Sequence, residues 1–175
     1  MTEPEIRATY HDHKDAIYRF AWRMTGSMSS AEDIVQECFL SLLRNPDGYD
    51  ATRAPIRPFL LAIARNLVRK RWRTERRWDA LDEEAFAAEP VDPTAGQTAE
   101  LVAQAVQSLP PLQREALILS HYEELSLEDI ARAVDAEVGT VKARLSRARE
   151  NMRRILEPLG PANHRSQTRH GTIER

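Results

Sequence analysis

Residues 125–155, LSLEDIARAVDAEVGTVKARLSRARENMRRI, constrain the fold most, because they read as two short helices joined by a tight turn. Ser126 followed by Asp129 is a capping-box-like start: the hydroxyl can accept from a free backbone N–H, and the acid sits favourably against the helix dipole. Leu127, Ile130, Ala131 and Val134 then recur at helical spacing, and Val138, Val141 and Leu145 continue the pattern after a break at Asp135-Ala136-Glu137. Two helices therefore share one small core. Opposite the apolar stripe of the second lie Lys142, Arg144, Ser146, Arg147 and Arg149, with Arg153 and Arg154 further on. Arginine makes bidentate hydrogen bonds to guanine, and every cation here releases counterions from DNA. Acids are nearly absent between Val138 and Arg149, which disfavours an ordinary solvated face of i,i+4 ion pairs. A helix of this kind suits the major groove of duplex DNA.

Bulk composition narrows the remainder. With 175 residues, 42% hydrophobic and 30% charged, the chain can hold one modest domain or two very small ones, and six glycines are few for an all-β fold. An all-α protein is expected. No apolar run approaches membrane-spanning length, and MTEPEIRATYHDH lacks the basic-then-apolar plan of a signal peptide, so a cytoplasmic location without membrane insertion is expected. Cys38 is the sole cysteine, which excludes an internal disulfide or a zinc knuckle and predicts a small core residue. The net charge of −2 fits poorly with DNA binding until its distribution is considered. Arg65, Arg69, Lys70, Arg71, Arg73, Arg76 and Arg77 form a basic block broken only by Glu75. Between it and the cationic helix lies DALDEEAFAAEPVDPTAG, residues 79–96, with no basic residue and two prolines: a flexible acidic linker and a domain boundary.

The N-terminal part predicts three helices. Ile6, Tyr10, Ile17, Phe20, Ala21 and Met24 mark the first, which ends near Gly26. Ser29 and Ser30, followed by Glu32 and Asp33, signal the second, whose buried stripe is Ile34, Val35, Cys38, Phe39, Leu42 and Leu43. Asn45-Pro46-Asp47-Gly48 stops it. After a loop with Pro55 and Pro58, the third runs through FLLAIARNLVRKRWRTERRW, with Phe59, Leu60, Ile63, Leu67 and Trp72 facing inward. A basic helix with interleaved aromatics suits single-stranded nucleic acid, because bases stack on rings while cations track the backbone. Trp78 is a stacking candidate, Trp72 a core residue, and Asn66 carries an amide suited to base edges. His11, Asp12, His13 and Asp15 do not make a metal site, since His11 and His13 point to different faces of a helix; no metal or cofactor is expected. The tail, residues 158–175, is polar, lacks apolar periodicity and is expected to be disordered.

These motifs together resemble the extracytoplasmic-function (ECF) class of bacterial RNA polymerase sigma factors, the minimal two-domain members of the sigma-70 family. AEDIVQECFLSLLR looks like region 2.2, PFLLAIARNLVRKRWRTERR like regions 2.3 and 2.4, and LPPLQREALILSHYEELSLEDIARAVDAEVGTVKARLSRARENMRRIL like region 4. The resemblance implies two small helical domains: residues 1–78 as a region 2 bundle and residues 97–157 as a region 4 helix-turn-helix. It implies core polymerase as a partner, through the β′ clamp coiled coil and the β flap, with Asp33, Gln36 and Glu37 as the clamp contacts. Asp33 also suits a first-turn dipole position. Asn66, Arg69, Lys70 and Arg73 are then the contacts to the melted −10 element, helped by loop 45–57. Thr140, Lys142, Arg144, Ser146, Arg147 and Arg149 are the contacts to the −35 duplex. An anti-sigma factor is a further partner that such a chain can have.

The sequence departs from the family pattern at several points. Lys70 stands where aspartate is frequent, Phe59 where tryptophan is common, and Ala143 where a small hydroxyl residue is frequent. Glu124 and Asp135 both replace usual glycines, and Asp135 tolerates a left-handed backbone better than most residues. Two other function classes compete with a polymerase specificity subunit. A free-standing helix-turn-helix regulator does not need the Asp33 to Arg73 constellation. A DNA-modifying enzyme needs paired carboxylates, a nucleophile–base set or a phosphate-cradling loop, and no such pattern is found.

Overall fold

The computed structural model describes residues 1–74 and 98–157; Arg76, Arg77, Trp78, the acidic stretch 79–96 and the tail 158–175 lie outside the described residues. Within them the fold is all-α, with two helical domains and no strand. No described helix is long and apolar enough to cross a membrane.

Helix α1, Glu3–Thr25, starts with Pro4 in its first turn and the Thr2 N–H donating to Glu5 Oε2 at 2.6 Å. It ends at Gly26, where φ of 70° lets the backbone turn away as the N–H donates to the Trp22 carbonyl at 2.8 Å. Helix α2, Met28–Arg44, is capped by Ser27, whose Oγ accepts the Ser30 N–H at 3.2 Å. The start therefore precedes the expected Ser29 and Ser30, because Ser27 alone has the extended backbone that an N-cap needs (φ −125°). A 3₁₀ turn at Pro46–Gly48 ends this hairpin, and α3, Ile56–Thr74, packs across both helices.

The second domain comprises α4, Thr98–Gln107, then α5, Pro111–Leu117, which widens into a π turn at Ile118–Tyr122. Helices α6, Leu127–Val134, and α7, Val138–Leu156, complete it. Ser126 caps α6 as its spacing predicts, with Oγ accepting the Asp129 N–H at 3.0 Å.

A continuous apolar core runs from Ile17, Phe20, Leu42 and Leu61 of the first domain to Leu119, Ile130, Val141 and Leu145 of the second. Cys38 is buried in it, its Sγ donating to the Leu60 carbonyl at 3.6 Å, and Trp72 is buried as expected. Four expectations need correction. Tyr10 of α1 is 38% exposed and rests edge-on against Phe39; Leu43 is 48% exposed, because α1 and α3 cover only one side of α2. On α3 the buried residues are Pro58, Leu60, Leu61, Ala64, Arg65, Val68 and Trp72, whereas Phe59, Ile63 and Leu67 are half-buried. The cause is a third neighbour: α6 covers a face of α3 that the N-terminal helices leave open. Arg65, counted in the basic block, is thereby buried at 4% exposure.

Phe20→Ala leaves a cavity where α1 meets the core and should lower unfolding free energy by about 3–5 kcal/mol in urea titration. Burial pushes the Cys38 thiol up to about 12, so a disulfide reagent at neutral pH should label it only as fast as the domain opens.

Candidate nucleic-acid interface

Helix α7 presents Thr140, Lys142, Ser146, Arg147 and Arg149 to solvent, while Val141, Leu145 and Ala148 anchor it in the core against α5. Arg144 is half-buried at the edge of this face. The first acid of the helix is Glu150, which takes Arg153 at 2.7 Å and Arg154 at 3.4 Å, so these two arginines are paired with a carboxylate behind the reading face. No side chain caps α7 at Glu137, and the space around Gly139 is open, which leaves the first-turn N–H groups without a side-chain partner at this end.

The turn between α6 and α7 depends on Asp135, held at φ 52° and ψ 57°, with the Ala136 N–H donating to the Ala131 carbonyl at 3.0 Å. Glu124, just before α6, adopts φ 53°, and the Leu125 N–H donates to the Leu119 carbonyl at 3.0 Å. Both residues that replace glycine are therefore left-handed.

On α3, Asn66, Lys70 and Arg73 are exposed along one face and Arg69 is half-buried beside them. Burial, and then the like charge of Arg65, hold the Arg69 guanidinium below the usual arginine value, with Glu115 offsetting part of this. Loop 45–57 is braced internally: Tyr49 Oη donates to the Ala54 carbonyl at 3.1 Å, its ring lies 5.2 Å from that of Phe59, and Asp50 Oδ1 accepts from the Thr52 hydroxyl at 2.6 Å. A cleft of about 560 Å³ between α2 and α3 is lined by Asp33, Gln36, Glu37, Lys70 and Arg71, so it joins the expected clamp contacts to one expected −10 contact. Arg71 pairs with Asp33 at 3.2 Å and Arg44 with Glu37 at 2.8 Å; both pairs are at the surface, where water and salt make them easy to exchange.

Sequence reasoning missed an ionic seam between the two domains. Arg65 Nε donates to Glu115 Oε1 at 2.6 Å with both side chains buried, and Arg57 donates to Glu123 Oε2 at 2.7 Å. Arg23 reaches Glu123 at 3.8 Å and lies over the Tyr122 ring. Burial pushes the Glu115 carboxyl up from its usual range, and Arg65, then Arg144 and Arg69, pull it back. Arg114 donates to the Met24 carbonyl at 2.7 Å and Arg132 to the Arg53 carbonyl at 3.0 Å, joining the domains further. The available signal was Glu115 beside the apolar run Ala116 to Leu119, an acid in a segment that must be buried.

The Sigma-70 region 2 family model matches residues 9–78 and the Sigma-70 region 4 model matches residues 99–152. The ECF RNA polymerase sigma factor SigW of Bacillus subtilis is 33% identical over 162 residues, covering 84% of this chain and 86% of its own. The ECF RNA polymerase sigma factor EcfG of Rhodopseudomonas palustris is 36% identical over 151 residues, covering 81% and 82%. Among solved structures, the sigma factor RpoE in complex with the anti-sigma factor NepR from Bartonella quintana matches with a TM-score of 0.68 and 27% identity, over 87% of this chain and 97% of that one.

Glycine removes the left-handed penalty that a Cβ imposes, and glutamate tolerates that region less well than aspartate. Glu124→Gly should therefore stabilise the fold by about 1 kcal/mol in thermal unfolding, and Asp135→Gly by less.

Proposed function

The chain belongs to the extracytoplasmic-function class of the sigma-70 family, and on that premise we propose how its two helical domains share the work of starting transcription. It is a sigma factor that joins core RNA polymerase and directs the enzyme to promoters. The first domain docks through Asp33, Gln36 and Glu37 on the β′ clamp coiled coil, with the surface ion pairs of Asp33 and Glu37 exchanged for contacts to the partner. Asn66, Arg69, Lys70 and Arg73 hold the non-template strand of the −10 element, and loop 45–57 receives an extruded base. Unstacking a base costs a few kcal/mol, which a loop already braced by Tyr49, Asp50 and Phe59 helps to offset. The second domain sits at the β flap and reads the −35 duplex with Thr140, Lys142, Arg144, Ser146, Arg147 and Arg149.

The protein works in the cytoplasm as an initiation factor rather than a catalyst. An anti-sigma factor as a further partner is supported by the similarity to RpoE bound to NepR. The observation that carries the reading is the presence on one chain of the α2–α3 cleft, with Asp33, Gln36 and Lys70, together with the α7 face free of acids up to Arg149. A free-standing regulator needs only the second.

Run-off transcription with purified core polymerase on a promoter library tests the reading. The expected result is promoter-selective transcripts that require both core and this chain; tight operator binding by the chain alone, with nothing added to core, would identify a regulator instead. Arg147→Ala should weaken −35 selection by about tenfold to a hundredfold while leaving core binding intact. Gln36→Ala should weaken core binding while leaving the isolated duplex interaction unchanged; equal loss of core binding in the two variants would sink this division of labour.

A further inference from the structure

Helix α7 is fixed in rotation about its own axis. Val141, Leu145 and Ala148 hold it in the core against α5, and beyond them the Asn151 side-chain amide donates to Gln113 Oε1 at 2.7 Å, with Gln113 itself 2% exposed. Which side chains point outward is therefore settled by the fold. At about 100° per residue, Ala143 lies within about 15° of the line directly opposite Val141, Leu145 and Ala148, and its side chain is exposed. Lys142 and Arg149 stand between about a quarter and a third of a turn to one side of that line, and Arg144 about as far to the other.

A helix laid out in this way meets a major groove in one orientation. With its side chains it is about 10–12 Å across, and the groove is about 12 Å wide, so its two flanks face the two phosphate backbones and the line between them faces the base edges. Lys142, Arg149 and Arg144 are then the cations that position the helix, while Thr140, Ala143, Ser146 and Arg147 are the side chains that reach bases. Gly139, one turn back on the line of Ala143, carries no side chain, and Glu150, two turns on, is drawn to Arg153 and Arg154. Ala143 is thus the centre of the reading window.

Resting on the sigma-factor reading, we propose that Ala143 is a specificity-determining residue that recognises the C5-methyl group of a thymine in the −35 duplex. Of the side chains in the window, Ala143 is the one with no polar atom. A methyl group neither donates nor accepts a hydrogen bond, so its favourable partner in the groove is another apolar group, and among the bases thymine presents one. Against the amino group of adenine or cytosine, or the acceptors of guanine, the same contact strips a polar edge of water and returns nothing. The small hydroxyl residue that is frequent at this position can satisfy such an edge, so alanine narrows the choice. Thr140 also carries a methyl group, but it stands about 60° from Ala143, on the Arg144 flank.

The test uses the holoenzyme of core polymerase and the full chain on the promoters that run-off selection yields. Each thymine of the −35 element is replaced in turn by deoxyuridine, which removes the C5-methyl group and nothing else, and promoter affinity is read by competition. At one thymine the replacement should weaken binding about three- to fivefold, the worth of one buried methyl contact. That loss should vanish in Ala143→Gly. If Ala143→Gly loses its helical circular dichroism, Ala143→Ser is read in its place and should likewise accept uracil and thymine equally at that position. Thr140→Ser, whatever its overall affinity, should keep the full difference between the two bases. Uracil tolerated at every −35 thymine, a difference that survives the Ala143 substitutions, or one that disappears in Thr140→Ser instead would each overturn the proposal. Run-off transcription with the same preparations separates the two readings: promoter-selective transcripts with any of those three results reject the thymine contact alone, whereas no transcripts from the unaltered chain reject the sigma-factor reading and this inference with it.

Discussion

The Arg65–Glu115 ion pair sets the relation between the two domains, because neither group can stay buried without the other. An arginine and a glutamate removed from water each lose several kcal/mol of hydration, and their mutual contact at 2.6 Å is the main compensation, with Arg144 and Arg69 adding to it on the glutamate side. The pair sits among the buried residues of an apolar core that runs from Phe20 to Val141. Arg57 with Glu123, Arg132 with the Arg53 carbonyl and Arg114 with the Met24 carbonyl hold the same boundary at further points.

Local signals in the chain were legible wherever a short-range rule decides the outcome. The Ser126 cap, the Gly26 stop and the burial of Cys38 and Trp72 all follow from neighbouring residues. The left-handed backbone at Asp135 and Glu124 was legible for a different reason: two positions usually held by glycine carried other residues. The start of α2 falls earlier than expected because Ser27, Ser29 and Ser30 offer the same hydroxyl within four residues, and only the backbone at Ser27 decides among them.

What could not be read belongs to contacts between distant segments. Periodicity on α3 identified an apolar stripe but not the second covering surface supplied by α6, so Arg65 was counted with the solvated cations. Glu115 and Glu123 carry no motif, and their meaning appears only when α3 is set beside α5 and its π turn. The same limit applies to the candidate site: the exposed faces of α7 and α3 followed from composition and spacing, whereas the shared field linking Arg69 and Arg144 required the fold.

The π turn at Ile118–Tyr122 gives that seam a register. A regular α-helix turns about 100° per residue, which would leave Glu123 well round the barrel from Glu115. The wider turn, closed by the Glu123 N–H donating to the Ile118 carbonyl at 3.1 Å, unwinds part of that angle, so both carboxylates meet the first domain. Along α3, Arg57 and Arg65 have the same separation in sequence as these two acids, and the rungs cross in opposite chain directions. Sliding one domain by a helical turn would bury two acids and two arginines out of step with each other. The two rungs thus fix the alignment of the domains along α3 as a two-toothed key.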